Sequence, residues 1–124
     1  MVKVGRVLVA TLGNELDDAA ALELQDDVAR RVVEERATGV LLDISALQIV
    51  DSFICKVLGD TAAMVGVLGA RVALVGMRPP VAITLVELGL ELPGVVTALD
   101  LDRGLRAVSA PVVPGTRGTS RRTA

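Results

Sequence analysis

The chain is predicted to fold as a single α/β domain, a mostly parallel central sheet of about four or five strands flanked by about four helices. Three observations carry this reading. Short apolar runs such as Val40-Leu41-Leu42-Asp43-Ile44 have the length and composition of buried strands. Longer segments place apolar residues at helical spacing, as in Ile54, Leu58, Thr61, Val65 and Leu68. The two kinds of segment alternate with short links, the pattern of a parallel sheet with helices packed on it.

Arg6–Thr11 is rich in β-formers and is read as the first strand. Asn14 and Asp17 offer caps for a helix over Asp17–Thr38. In that helix Ala20, Leu24, Val28 and Val32 share one stripe, while Asp26, Arg30, Glu34 and Glu35 lie outside it. Gly39 is expected to stop this helix, because glycine adopts the left-handed conformation of a helix C-terminus without steric cost. Val40–Ile44 follows as a strand and Ser45–Val50 as a connection. A second helix runs from about Ser52 to Leu68 and ends at Gly69, and Arg71–Gly76 is a further buried strand. Arg78-Pro79-Pro80 opens a third helix, since proline suits the first turn, and Val81, Leu85 and Leu88 form its apolar stripe before Gly89. Val95–Leu99 is a weaker extended segment, and Asp100 or Asp102 caps a last short helix reaching about Val108. The domain therefore spans residues 1–108. Residues 109–124 are rich in Pro, Gly, Thr and Arg, lack periodicity, and read as a disordered tail.

Composition narrows the function. A chain of 124 residues holds one domain with a real core, and with one Phe and no Trp or Tyr that core must be aliphatic. A net charge of −2 leaves no electrostatic footprint for nucleic acid, and the scarcity of aromatics leaves no base-stacking surface. No apolar run is long enough to span a membrane, because Gly66, Gly69 and Arg71 interrupt the longest. The start Met1-Val2-Lys3-Val4-Gly5 has no signal-peptide pattern, and the single Cys55 excludes an internal disulfide, so a cytoplasmic protein is expected.

Catalytic equipment is nearly absent. There is no His, and one Cys builds neither a thiolate metal site nor a Cys–His pair, so neither a metal nor a cofactor is expected. Gly66-Val67-Leu68-Gly69 lacks phosphate-loop spacing and reads as a helix end. Asp17-Asp18 and Asp26-Asp27 belong to a solvated face, and Cys55 reads as a small buried hydrophobe. A non-enzymatic protein follows from this inventory.

The informative stretch is Ile49-Val50-Asp51-Ser52-Phe53-Ile54, where strand-like and helical periodicity meet. Asp51 or Ser52 caps a helix that starts at the C-terminal edge of the sheet. A serine there faces the positive end of a helix dipole, where a phosphate is easily accommodated; the plain alternative is an ordinary N-cap.

Val40-Leu41-Leu42-Asp43-Ile44-Ser45 with Ile49 through Asp60, extended by Gly69 through Pro79, resembles the central signature of STAS domains, the small α/β domains of anti-sigma-factor antagonists and of sulfate-transporter tails. Val81-Ala82-Ile83-Thr84-Leu85-Val86-Glu87-Leu88-Gly89-Leu90, together with Glu15-Leu16-Asp17-Asp18 and Thr97 through Leu101, narrows the likeness to the single-domain scaffold branch of the bacterial stressosome. That resemblance covers about Val7 to Leu105. It implies that Ser52 is phosphorylated by a switch serine kinase of the RsbT type, and that an RsbX-type phosphatase reverses the step. It implies further that the unmodified scaffold, assembled with RsbR-type STAS paralogues as a homo- and hetero-oligomer, holds the kinase until phosphorylation promotes release and stress signalling. Thr84 matches a phosphorylated threonine of RsbR-type paralogues and is a second candidate site. Asp51, Ser52, Phe53, Lys56 and Thr84 are then the expected partner-binding residues, and Ser52 and Thr84 are expected on one surface, because both begin helices that follow strands, Thr84 in the first turn or so after Pro80. The runner-up is a monomeric antagonist that binds an anti-sigma kinase through the same serine.

Overall fold

The computed structural model describes residues 1–13, 16–48, 50–89 and 95–109. Asn14, Ile49, Leu90 and the expected tail beyond Ser109 lie outside the described residues. Five strands, β1 (Val2–Val4), β2 (Val7–Thr11), β3 (Gly39–Asp43), β4 (Arg71–Val75) and β5 (Val95–Ala98), lie side by side in chain order. The last four are parallel, and β1 is antiparallel to β2. Helices α1 (Asp18–Glu34), α2 (Ser52–Val67) and α3 (Pro79–Glu87) follow β2, β3 and β4, and α4 (Leu101–Ser109) follows β5.

This order dictates the layers. Right-handed crossovers that all step the same way along a sheet put their helices on one face. The residues confirm it: Leu8, Val40 and Val72 are register neighbours, as are Ala10, Leu42 and Leu74, and these alternate positions pack in one core with Val28 of α1, Val65 of α2 and Val81 of α3. The intervening residues Leu41, Ala73 and Val75 face the other way and meet Val108 of α4. The sheet is buried on both faces where β3 and β4 run, which is why those strands read as continuous apolar runs. Val2 and Val4 pair with Val9 and Val7 yet remain exposed, since α4 lies chiefly against β3, β4 and β5.

Several expectations need correction. The β1 strand was not anticipated, for a three-residue strand is too short to show a period; it turns into β2 at Gly5, whose φ is +61°. Helix α1 ends at Glu34 rather than Thr38, because Arg36 turns out at φ 52° and the Thr38 N–H already donates to the Arg6 carbonyl at 2.8 Å. Its buried contacts come from Ala21, Val28 and Val32, with Leu24 half-buried, while Ala20 lies at the stripe's margin. Gly39 does not stop a helix: it is the first residue of β3, where a Cβ would stand 2.8 Å from the Val108 Cβ. Leu88, expected on the buried stripe of α3, is its exposed C-cap. Ser109, assigned to the tail, is the last residue of α4. Gly69 does end α2, at φ +94°.

Candidate functional site

The site begins where the chain leaves β3. The Asp43 carboxylate accepts the Ser45 N–H at 3.0 Å and the Ser45 hydroxyl at 2.7 Å, an Asx turn that bends the connection sharply. Leu47 and Val50 are buried and anchor the rest of the loop to the core. The neighbouring connection, between β4 and α3, is fastened to it. Arg78 Nε donates to the Ser45 carbonyl at 2.6 Å, and Gly76, at φ +75°, approaches so closely that a Cβ there would lie 2.7 Å from the Ser45 Cβ. Both helix starts thus rest on one braced edge. Sequence reading missed this bracing; the Asp-x-Ser spacing was a signal for the turn, whereas the Arg78 contact is long-range and left no local signature.

Asp51 is the cap of α2. Its side chain accepts the Ile54 N–H at 2.8 Å, and Ser52 is the first residue inside the helix. Of the two capping residues the spacing allowed, the structure selects Asp51. Ser52 is exposed, and among the described residues its hydroxyl has no hydrogen-bond partner. The N–H groups of Ser52 and Phe53, at the first two helical positions, precede the first residue that can find a carbonyl one turn back. Phe53 is partly exposed beside the serine, whereas Ile54 and Cys55 turn into the core. One turn on, Lys56 Nζ lies 2.7 Å from Asp60 Oδ2, both side chains in solvent. Burial raises the Cys55 thiol above its ordinary pKa, and the Asp51 charge adds to the effect, so the sulfur is a protonated apolar filler.

Thr84 is placed less favourably than expected. It is the sixth residue of α3, in the second turn, and its hydroxyl donates to the Pro80 carbonyl at 2.9 Å. Helices α2 and α3 do start at the same sheet edge, because they follow adjacent parallel strands. Ser52 occupies that edge itself, and Thr84 sits a turn farther back, half-buried and already engaged. Asp17 caps α1 through the Ala20 N–H, and Asp18 and Asp26 are exposed as expected. Among the described residues no cluster of His, Cys, Asp or Glu is able to hold a metal, and no helix is long and apolar enough to cross a membrane.

An exposed hydroxyl on a helix N-terminus, with a cap that does not depend on it, suits reversible attachment of an anion. Comparison with known proteins places the chain in a family. The family model of the STAS domain matches residues 1–97. The RsbT co-antagonist protein RsbRA of Bacillus subtilis (strain 168) is 30% identical over 100 residues, which are 81% of this chain and 36% of that protein; the chain therefore spans about a third of that relative. Among solved structures, a chain of the stressosome, described as a signal integration and transduction hub, is 35% identical with a TM-score of 0.77, over 87% of this chain and 94% of its own. A serine-to-glutamate variant of RsbS from Moorella thermoacetica is 34% identical with a TM-score of 0.78, over 87% and 92%. The unphosphorylated anti-sigma factor antagonist SpoIIAA, at 19% identity and a TM-score of 0.72 over 90% and 96%, shares the fold. The chain belongs to the STAS domain family, and its relatives include RsbS, RsbRA and a chain of the stressosome.

Proposed function

We propose that the protein is a non-enzymatic, cytoplasmic phosphoswitch and scaffold of a stressosome. In the unmodified state it sequesters an RsbT-type serine kinase together with RsbR-type STAS partners; phosphorylation of Ser52 promotes release, and an RsbX-type phosphatase resets it. Asp51, Ser52, Phe53 and Lys56 form the partner surface, with Thr84 as a secondary modification site. Support comes from the likeness to RsbS and RsbRA and from one structural observation: Ser52 is exposed at the first position of a helix that Asp51 caps. Among the described residues the serine hydroxyl has no hydrogen-bond partner, which supports its availability for modification.

Phosphorylation adds roughly −1.5 to −2 charges and three strong acceptor oxygens. An exposed helix N-terminus stabilises such an anion by about 0.3–1 kcal/mol, so the domain survives the change. A partner packed over the same spot must instead desolvate a dianion, and a loss of a few kcal/mol at an interface centre changes affinity by orders of magnitude. The modification is therefore nearly neutral for folding and decisive for binding. Incubation with the RsbT-type kinase and ATP should add one phosphate, localised by mass spectrometry to Ser52, and Ser52→Ala should abolish labelling. Labelling of the alanine variant as strong as that of the wild type would refute the assignment.

A further inference from the structure

We propose that Lys56 is the residue that receives the phosphate on Ser52, giving up Asp60 to do so; this rests on Ser52 being the modified residue. Ser52, Lys56 and Asp60 stand four residues apart on the outer surface of α2, and all three are exposed. Residues at this spacing are neighbours on a helix. Lys56 already spends its ammonium on one of its two neighbours, Asp60 Oδ2, at 2.7 Å.

The existing pair has the less favourable sense. Side chains on a helix lean toward its N-terminus, so the surface that Lys56 naturally covers is the turn holding Ser52. An anion four residues before a lysine is better placed than one four residues after it, and phosphoserine carries up to twice the charge of aspartate. Of the other charged groups, Asp51 is adjacent, holds the Ile54 amide and opposes the phosphate, while Arg78 on the next connection is held at the Ser45 carbonyl. Lys56 is the cation on α2 at helical spacing from Ser52. Its transfer would leave Asp60 uncompensated, so a phosphate added at the first residue of α2 would also uncover a carboxylate two turns along the same surface.

The test installs phosphoserine at position 52 by genetic encoding, which needs no kinase, and follows the second ionisation of the phosphate by ³¹P NMR at low salt. An exposed pair at this spacing is weak, and Lys56→Gln should raise that pKa by about 0.3 unit. Lys56→Arg should leave it near the wild-type value. Asp60→Asn should lower it, and that effect should vanish in the Lys56→Gln background, because it acts by freeing the lysine. An unchanged titration in Lys56→Gln, or an Asp60→Asn shift that is the same in both backgrounds, would overturn the proposal. Failure of the kinase to label Ser52 would count against the phosphoswitch reading and leave this titration unaffected.

Discussion

At the start of α2 two adjacent residues divide the work: the Asp51 carboxylate satisfies the Ile54 amide, and Ser52 keeps an exposed hydroxyl. Asp51→Ala should therefore cost about 0.5–2 kcal/mol, the usual loss of a cap, while Ser52→Ala should stay within about 0.5 kcal/mol, as exposed positions do. Thermal melts of the two variants check this, and equal destabilisation would contradict the assignment of the cap. That a serine stood at a helix start was legible in the change of periodicity at Val50-Asp51-Ser52. Which residue capped was not, because Asp and Ser are comparably good caps and a shift of one residue exchanges their roles. Cys55 yields a second expectation. The folded state holds its thiol neutral at pH values where the unfolded chain ionises it, owing first to burial and second to the Asp51 charge. Its contribution to stability is thus complete below the ordinary thiol range and is lost as pH rises beyond it. The fall in melting midpoint between pH of about 7.5 and 10 should be shallower in Cys55→Ala than in the wild type.

Among the elements, α4 depends on two glycines. A Cβ at Gly104 would lie 2.7 Å from Val75 Cγ2 and 3.0 Å from Leu41 Cδ2, and one at Gly39 would meet Val108. Gly104→Ala should cost about 1–3 kcal/mol through overpacking and should speed amide exchange along α4. Gly66→Ala is the contrast: it lies inside α2 with nothing within 4 Å of the added methyl, so it should be neutral or stabilise by up to about 1 kcal/mol. Denaturant melts separate the two, and comparable losses would refute the packing account of α4. The same glycines mark where sequence reading stopped. Gly39 looked like a helix stop because its role is a contact with Val108, sixty-nine positions away in the chain. Helices α2 and α3 were legible because stripes such as Ile54, Leu58 and Val65 are local, as are the prolines at the first two positions of α3.

In the whole molecule, strand order is what brings the candidate site together. A sheet that steps in one direction places three helices on one face and their starts on one edge, where Arg78 ties the connections that lead into α2 and α3 through Ser45. The α/β class, the single domain and the parallel sheet were readable from the alternation of segments. The antiparallel β1 and the placing of α4 on the opposite face were not, since both depend on tertiary pairing. As a scaffold the protein should enter a very large particle when mixed with an RsbR-type partner and chromatographed by size. Elution of separate small species would favour the monomeric antagonist.

The central claim is that a phosphate on Ser52 changes binding without changing the fold. It is tested most directly by measuring kinase affinity for the wild type, Ser52→Ala, Ser52→Asp and the Ser52-phosphorylated protein, each shown by its melt to be folded. Wild type and Ser52→Ala should bind alike, and the phosphorylated form should bind more weakly by at least about thirtyfold, equivalent to roughly 2 kcal/mol at the interface. Ser52→Asp should fall between them, with one charge and a shorter reach. Equal affinities across the four folded proteins would contradict the account and leave Ser52 an ordinary surface residue at the start of α2.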